Sequence, residues 1–283
     1  MATTKRFTQR FGHGRQGGDV RLLQEALNKI LYDFPTKNIT GYYGSKTAQA
    51  VSDFQLKQGL NTNGQLDSNT RLALNYIYFN ELCPTEQGNV IYPDEITVHV
   101  NREIPLPVDY VPHNLINISD LVKTIGIVCL KQDVAPFLKQ MFDDATSQNV
   151  KLVVTSGFRR PEIQSIIQKV WQLIEGNKSE AGVAEPRHSE HQLGTTVDLS
   201  GESVNNIGAT DSFDGTTEDA WLKQNAYKYG FIMSYPKDKV AITGYIYEPW
   251  HYRFVGVGVA KQIFDKQISI EEYFNSLNDT LNF

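Results

Sequence analysis

Between residues 81 and 94 the chain loses every hydrophobic period. Cys83-Pro84, Gln87-Gly88 and Pro93 fall within 14 positions, and neither a helix nor a strand face can be drawn through them. This break constrains the fold most, because the segments on its two sides must each bury their own apolar residues. The first part carries only helical signals. Asp19 can cap a helix with Val20, Leu23, Leu27 and Ile30 or Leu31 on one face, stopped near Pro35. After the turn Gly41-Tyr42-Tyr43-Gly44, Ser45 caps a second helix with Ala50, Val51 and Phe54 inward, ended at Gly59. Asn63-Gly64 turns again, and Asp67 or Ser68 caps a third helix carrying Leu72, Leu74 and Ile77. The expected division is a three-helix domain over 11–80, a linker over 81–95 and a larger domain over 96–283.

The second part mixes periods. A short strand is expected over 96–100, and Pro105, Pro107 and Pro112 then force extended chain. Asp133 caps a helix with Val134, Phe137, Leu138 and Phe142. Residues 151–155 read as a strand, Ser156-Gly157 as a turn, and Pro161 as the first position of a helix to about 175. A loop over 176–187 precedes a strand over 195–199. Thr216 or Thr217 caps a helix that Gly230 ends. Residues 245–255 read as strand interrupted by Pro249, and two helices come after it, over 259–265 and 270–277. Strands interspersed with helices make this domain α+β, with a central antiparallel sheet.

Length and composition fit two soluble domains. The 283 residues are 40% hydrophobic, enough for real cores, so neither fold needs a metal or a disulfide to stand. A net charge of −5 speaks against nucleic acid as a partner. No apolar run approaches the roughly 18 residues a membrane span needs. Residues 1–18 are polar and glycine-rich, without the apolar centre of a signal peptide. The two cysteines, Cys83 and Cys129, lack metal spacing; two unpaired thiols are the plainer expectation, and a disulfide in an oxidising compartment is the alternative.

Of the six histidines, two keep unusual company: His191 in Ser189-Glu190-His191-Gln192-Leu193-Gly194-Thr195-Thr196-Val197-Asp198, and His251 in Glu248-Pro249-Trp250-His251-Tyr252. His191 and Asp198 are seven apart, so a flat strand would put them on opposite faces. Gly194 and the β-branched run 195–197 disfavour a helix. A turn near Gly194 feeding a strand resolves this: Thr195, Val197 and Leu199 pack inward, Asp198 faces a cleft and His191 folds back beside it. Pro249 breaks the second ladder, so Glu248 precedes a strand and His251 lies on it. Two imidazoles, one carboxylate and a nearby glutamate would form a complete hydrolytic zinc site. Spacing alone leaves the alternative open that these residues are satisfied separately.

The run Ser189 to Asp198 resembles the zinc motif S-x-H-x-x-G-x-A-x-D of VanY-like D-alanyl-D-alanine carboxypeptidases. Residues 244–256, with Glu248-Pro249-Trp250-His251-Tyr252, resemble that family's E-P-W-H-Y motif, and Ser156-Gly157-Phe158-Arg159 its S-G-[YF]-R motif. Residues 220–231 resemble its intervening helix, and Tyr110-Val111-Pro112 also fits. The likeness covers about 105–275. It implies that His191, Asp198 and His251 ligate Zn²⁺, that Glu248 is the general base, and that Arg159 contacts substrate and the developing oxyanion. It places Ser189 and Gln164 along the substrate pocket. Thr196 stands where the motif usually has alanine. His188 is outside the pattern and is expected to be a loop residue; His13, His99 and His113 are expected to be structural or exposed, and Trp250 flanks the substrate or is buried beside the site.

Residues 11–78 resemble the three-helix peptidoglycan-binding domain, through Gly18-Asp19-Val20, Leu23-Gln24, Gly41 to Gly44, Phe54-Gln55, Gly64 and Thr70. Tyr42 and Tyr43 are candidates for glycan contact, or pack on the helices. The implied activity is removal of terminal D-alanine from peptidoglycan stem peptides at the cell wall. Two alternatives stand beside it. One is a zinc endopeptidase of phage-lysin type, which would leave a cell on lysis and fits the lack of a visible signal peptide. The other is an inactive wall-binding protein.

Overall fold

The structure is a computed structural model that describes residues 7, 9–31, 39–58, 60–67, 70–71, 73–74, 83, 96–108, 110–161, 163–165, 167–168, 171 and 182–280. The chain separates into two compact units, Met1–Leu82 and Cys83–Phe283.

In the first unit, α1 (Gly18–Ile30) and α2 (Ser45–Lys57) bury the expected faces. Val20, Leu23, Leu27, Ala50, Val51 and Phe54 form one core with Leu66 and Leu74. Asp19 does not cap α1; it lies inside the first turn, where its carboxylate suits the helix N-terminus. Ser45 likewise starts α2 rather than capping it. Asp67 is a true cap, its Oδ1 accepting from the amide and hydroxyl of Thr70. Gly59, Leu72 and Ile77 lie outside the described residues, as does all of 81–95 except Cys83. Two buried glutamines explain why each helix pairs an apolar residue with Gln. Gln24 donates to Thr47 and the Tyr42 carbonyl and accepts from the Gly41 amide. Gln55 does the same for the next turn, through Thr70, the Gln65 carbonyl and the Gly64 amide. Each side chain satisfies the backbone of a turn that no ladder reaches.

The second unit is built on a four-stranded antiparallel sheet in the order β3-β4-β6-β5, made of β3 (Leu152–Ser156), β4 (Thr196–Gly201), β5 (Phe231–Met233) and β6 (His251–Phe254). A two-stranded sheet pairs β1 (Leu115–Asn117) with β2 (Cys129–Lys131). Helix α3 (Ala135–Ser147) and α4 (Thr217–Asn225) pack on the sheet. Leu138, Met141, Phe142, Trp221 and Leu222 meet Leu152, Val154, Val197, Leu199, Tyr252 and Phe254 in the main core. A short helix α5 (Val240–Thr243) precedes β6, and α6 (Val257–Lys266) and α7 (Ile270–Thr280) close the unit around a smaller cluster with Ile232 and Val255.

Several expectations shift by a few residues. Thr216 caps α4 through the Asp219 amide, and the helix tightens to a 3-10 turn over Ala226–Tyr229 before Gly230 at φ 83°. Asp133 does not cap α3, whose first turn is set by Val134 and Pro136. Residues 96–100 are not a strand: the carbonyls of Ile96 and Val98 accept from the Arg253 guanidinium instead of from a neighbouring strand. Within 245–255 only His251–Phe254 is strand. Residues 161, 163–165, 167–168 and 171 are helical, and the rest of the expected helix to 175 lies outside the described residues. Cys83 and Cys129 are joined in a disulfide across 46 positions, so the paired alternative holds and the plainer one does not.

Candidate metal centre

Strand alternation places the site. Asp198 is directly opposite His251, and Thr196 opposite Arg253, on adjacent strands β4 and β6. Opposed residues share a face, so these four side chains stand on one face of the sheet while Val197, Leu199, Tyr252 and Phe254 enter the core from the other. Gly194 makes the turn before β4 at φ 71°, a conformation glycine adopts freely. It ends a 3-10 turn over Glu190–Leu193, which returns His191 to Asp198. The separation of seven is resolved by this turn, as expected.

Ligand atoms of His191, Asp198 and His251 all lie within 4.8 Å of one another, and all three residues are buried. Each ring is held by its far nitrogen. His191 Nδ1–H donates to the Gly157 carbonyl at 2.7 Å, leaving the Nε2 lone pair 3.2 Å from Asp198 Oδ1. His251 Nε2–H donates to Glu190 Oε2 at 2.9 Å, leaving Nδ1 3.4 Å from Asp198 Oδ1 and 3.4 Å from Glu248 Oε2. Four acceptor atoms therefore converge without a donor between them. Such a nest calls for a cation, and two imidazole nitrogens with one carboxylate suit zinc with a position left open.

The electrostatics agree. Burial holds His191 down to about 4, with the Arg159 charge adding to it, so the ring is neutral and its lone pair free. Burial opposes a charged His251, yet hydrogen bonds to Asp198 and Glu190 and the Glu248 charge win and raise it to about 10. In the absence of an ion a proton on His251 thus answers the surrounding carboxylates. Burial would raise Asp198, but His191, His251 and Arg159 hold it well below the usual carboxylate range. Glu248 goes the other way: burial raises it to about 7, only partly offset by His251.

Arg159 donates its backbone amide to the His191 carbonyl at 3.1 Å, and its Nε is buried without a hydrogen-bond partner. The preceding Gly157 is required by close approach, since a Cβ there would lie 2.6 Å from the Cys129 carbonyl oxygen. The Ser156 to Arg159 motif is thereby a strand end squeezed between β2 and the His191 turn. Ser189 Oγ accepts from the His191 amide and caps that turn. Gln164 is buried, with Nε2 donating to the Ala184 carbonyl. Thr196 is fully buried and its hydroxyl has no partner. Trp250 belongs to the main core. His188 receives or gives a hydrogen bond at the Asn101 carbonyl, and His99 pairs with Glu271 and stacks on Phe274, both structural roles. His13 is exposed beside Tyr42. Tyr42 is 43% exposed, whereas Tyr43 is buried and donates to the Gly64 carbonyl, so only the first remains a candidate for glycan contact.

Sequence reading missed Glu190 and Arg253. Both sit inside the two histidine-bearing segments, and a charged residue one place from one ligand and two from another was the available signal. Their role needs the strand register, because Glu190 serves the distant His251 rather than its neighbour.

A buried His–Asp–His cluster on an antiparallel sheet, with a carboxylate beside it, defines a mononuclear metallohydrolase of the α+β type. Residues 128–257 match the family model for VanY, D-alanyl-D-alanine carboxypeptidase, and residues 16–74 match that for a peptidoglycan binding domain. YodJ of Bacillus subtilis, which bears the name carboxypeptidase, is 37% identical over 74% of this chain and 78% of its own. A D-alanyl-D-alanine carboxypeptidase of Enterococcus faecalis is 35% identical over 62% of this chain and 65% of its own. The chain belongs to the VanY family of D-alanyl-D-alanine carboxypeptidases. Solved relatives share the fold. The LdcB LD-carboxypeptidase is 37% identical with TM-score 0.56, covering 62% of this chain and 84% of its own. A mutant of the vancomycin resistance D,D-pentapeptidase VanY in complex with Zn(II) is 32% identical with TM-score 0.55, covering 64% and 99%. VanYB in complex with D-alanine-D-alanine is 33% identical with TM-score 0.55, covering 64% and 98%. Among the described residues no helix is long and apolar enough to cross a membrane.

Proposed function

We propose that this chain is a zinc D-alanyl-D-alanine carboxypeptidase that trims peptidoglycan stem peptides at the cell wall. In this reading residues 11–80 bind peptidoglycan, 81–95 link, and 96–283 carry the peptidase. The observation that carries it is the convergence of His191 Nε2, His251 Nδ1 and Asp198 Oδ1, with Glu248 Oε2 3.4 Å from His251. His191, Asp198 and His251 would hold zinc. When bound, zinc supplies Lewis acidity, drawing electron density from a carbonyl oxygen and easing deprotonation of water. Glu248 accepts the proton of the attacking water and returns it to the nitrogen of the departing D-alanine. Its raised proton affinity suits both transfers. The Arg159 guanidinium stabilises negative charge as it grows on the carbonyl oxygen. Ser189 acts through the His191 turn, and Gln164 through the loop at Ala184.

A second reading rests on the likeness to LdcB, an LD-carboxypeptidase. The same machinery would then remove D-alanine from a tetrapeptide stem. One assay separates them: purified protein is incubated with pentapeptide and tetrapeptide stems and the products are read by mass spectrometry. D-alanine from the pentapeptide supports the first reading, and release from the tetrapeptide alone supports the second. Internal fragments without D-alanine would establish the endopeptidase, and no product with zinc bound would leave a wall-binding protein.

A further inference from the structure

Glu190 precedes His191 in sequence but works on the other histidine. Its carboxylate is buried, and both oxygens are engaged. Oε2 accepts from His251 Nε2 at 2.9 Å and from the Ser234 hydroxyl. Oε1 accepts from Arg253 Nη1 at 2.9 Å. The other Arg253 nitrogen, Nη2, donates to the carbonyls of Ile96 and Val98, so the guanidinium is fixed in turn. His251 and Arg253 are two apart on β6 and share a face, which lets one carboxylate span both.

We infer that Glu190 is a positioning residue that selects the nitrogen His251 turns toward the metal and strengthens that nitrogen as a donor. The inference rests on the proposed zinc centre. An imidazole can offer either nitrogen to a metal, and the hydrogen bond made by the other decides which. With Nε2–H held by Glu190, Nδ1 is the only lone pair His251 can present to the cluster. His191 is held the opposite way, by Nδ1–H on the Gly157 carbonyl, a neutral acceptor. A carboxylate acceptor makes its imidazole the more basic ligand of the two. Arg253 compensates the charge of Glu190, so the carboxylate adds no unpaired charge to the interior. The Tyr235 ring lies 4.6 Å from that of His251 and blocks rotation about the ring's other side.

The test uses full-length protein and the variants Glu190→Gln and Ser234→Ala. Zinc affinity is measured by competition with a chromogenic chelator, the visible spectrum is recorded with Co²⁺ in place of zinc, and thermal unfolding is measured for each apoprotein. Glu190→Gln is expected to weaken zinc by about 10- to 100-fold and to shift the Co²⁺ bands. Ser234→Ala, which removes one of the bonds that hold the carboxylate, is expected to weaken zinc by about three- to tenfold. A Glu190→Gln protein that melts lower but binds zinc within twofold of the parent, with a superimposable Co²⁺ spectrum, overturns the inference and leaves Glu190 a structural prop. Should Glu190→Gln not fold, Ser234→Ala decides by the same twofold criterion. A parent protein that binds no zinc removes the metal centre and this inference together, a result distinct from the other two.

Discussion

At the scale of single residues the site is a problem in lone pairs. Acceptors from His191, Asp198, His251 and Glu248 face one another at 3.2–3.4 Å, and only Glu248 is free to carry a proton in and out. Glu248→Gln should keep zinc and lower kcat by about 10²–10⁴-fold, the range of a lost general base. His251→Ala should lose both metal and activity. Turnover of Glu248→Gln near the parent's rate would remove the base assignment. The pH profile depends on the same residue. Burial raises Glu248 to about 7, and a bound cation would lower it again, because positive charge favours the ionised form. A base works only when ionised, so kcat/KM should fall as pH drops through a midpoint no higher than about 7. A profile that climbs toward acid would contradict this. The sequence motifs made these residues legible by type. They did not show which nitrogen of each ring faces the ion, because that depends on the Gly157 carbonyl and on Glu190, which the fold brings from other elements.

At the scale of elements, two short pieces carry the geometry. The β3–β4 register shifts between Val154 and Ser156, so the strand end bends toward the site and presents the Gly157 carbonyl to His191. Gly157→Ala would force a Cβ against the Cys129 carbonyl and the Val128 side chain. We expect a loss of about 1–3 kcal/mol in apoprotein stability by chemical denaturation, with weaker zinc binding, as the carbonyl is displaced. Unchanged zinc affinity would show that the backbone relaxes without moving His191. The disulfide tethers β2, the strand against which this turn packs, to Cys83. In the chain-entropy account a loop of 46 residues lowers the stability of the reduced protein by about 4 kcal/mol. Equal melting of oxidised and reduced protein would refute that account. The sequence offered no way to pair these cysteines, since Cys83 lies in an aperiodic stretch and its partner on a strand too short to show a period. Elements with strong periods, such as α3, were legible to within a residue or two. Residues 96–100 looked like a strand because they alternate, but Arg253 takes two of their carbonyls.

At the scale of the whole molecule, each unit has its own core, and each of the two matched families falls within one of them. The proposed division of labour predicts that Tyr42→Ala, at an exposed ring in the first unit, lowers binding to insoluble peptidoglycan while leaving hydrolysis of a soluble stem peptide unchanged. A pelleting assay and a peptide assay on the same preparation check it; loss of peptide hydrolysis would mean that the two units are not functionally separate. A weak tether raises the local concentration of substrate without touching the chemistry. The amino-acid sequence by itself determined the number of domains, the helical character of the first, the α+β character of the second and the residue types that can bind a metal. These come from period, turn residues and donor chemistry, which are local. Only the tertiary structure decided that Tyr43 is core, that the cysteines pair, and that Glu190 and Arg253 belong to the site. Those facts depend on which strands are neighbours and in what register, and a side chain's partner across a sheet leaves no mark in its own stretch of sequence.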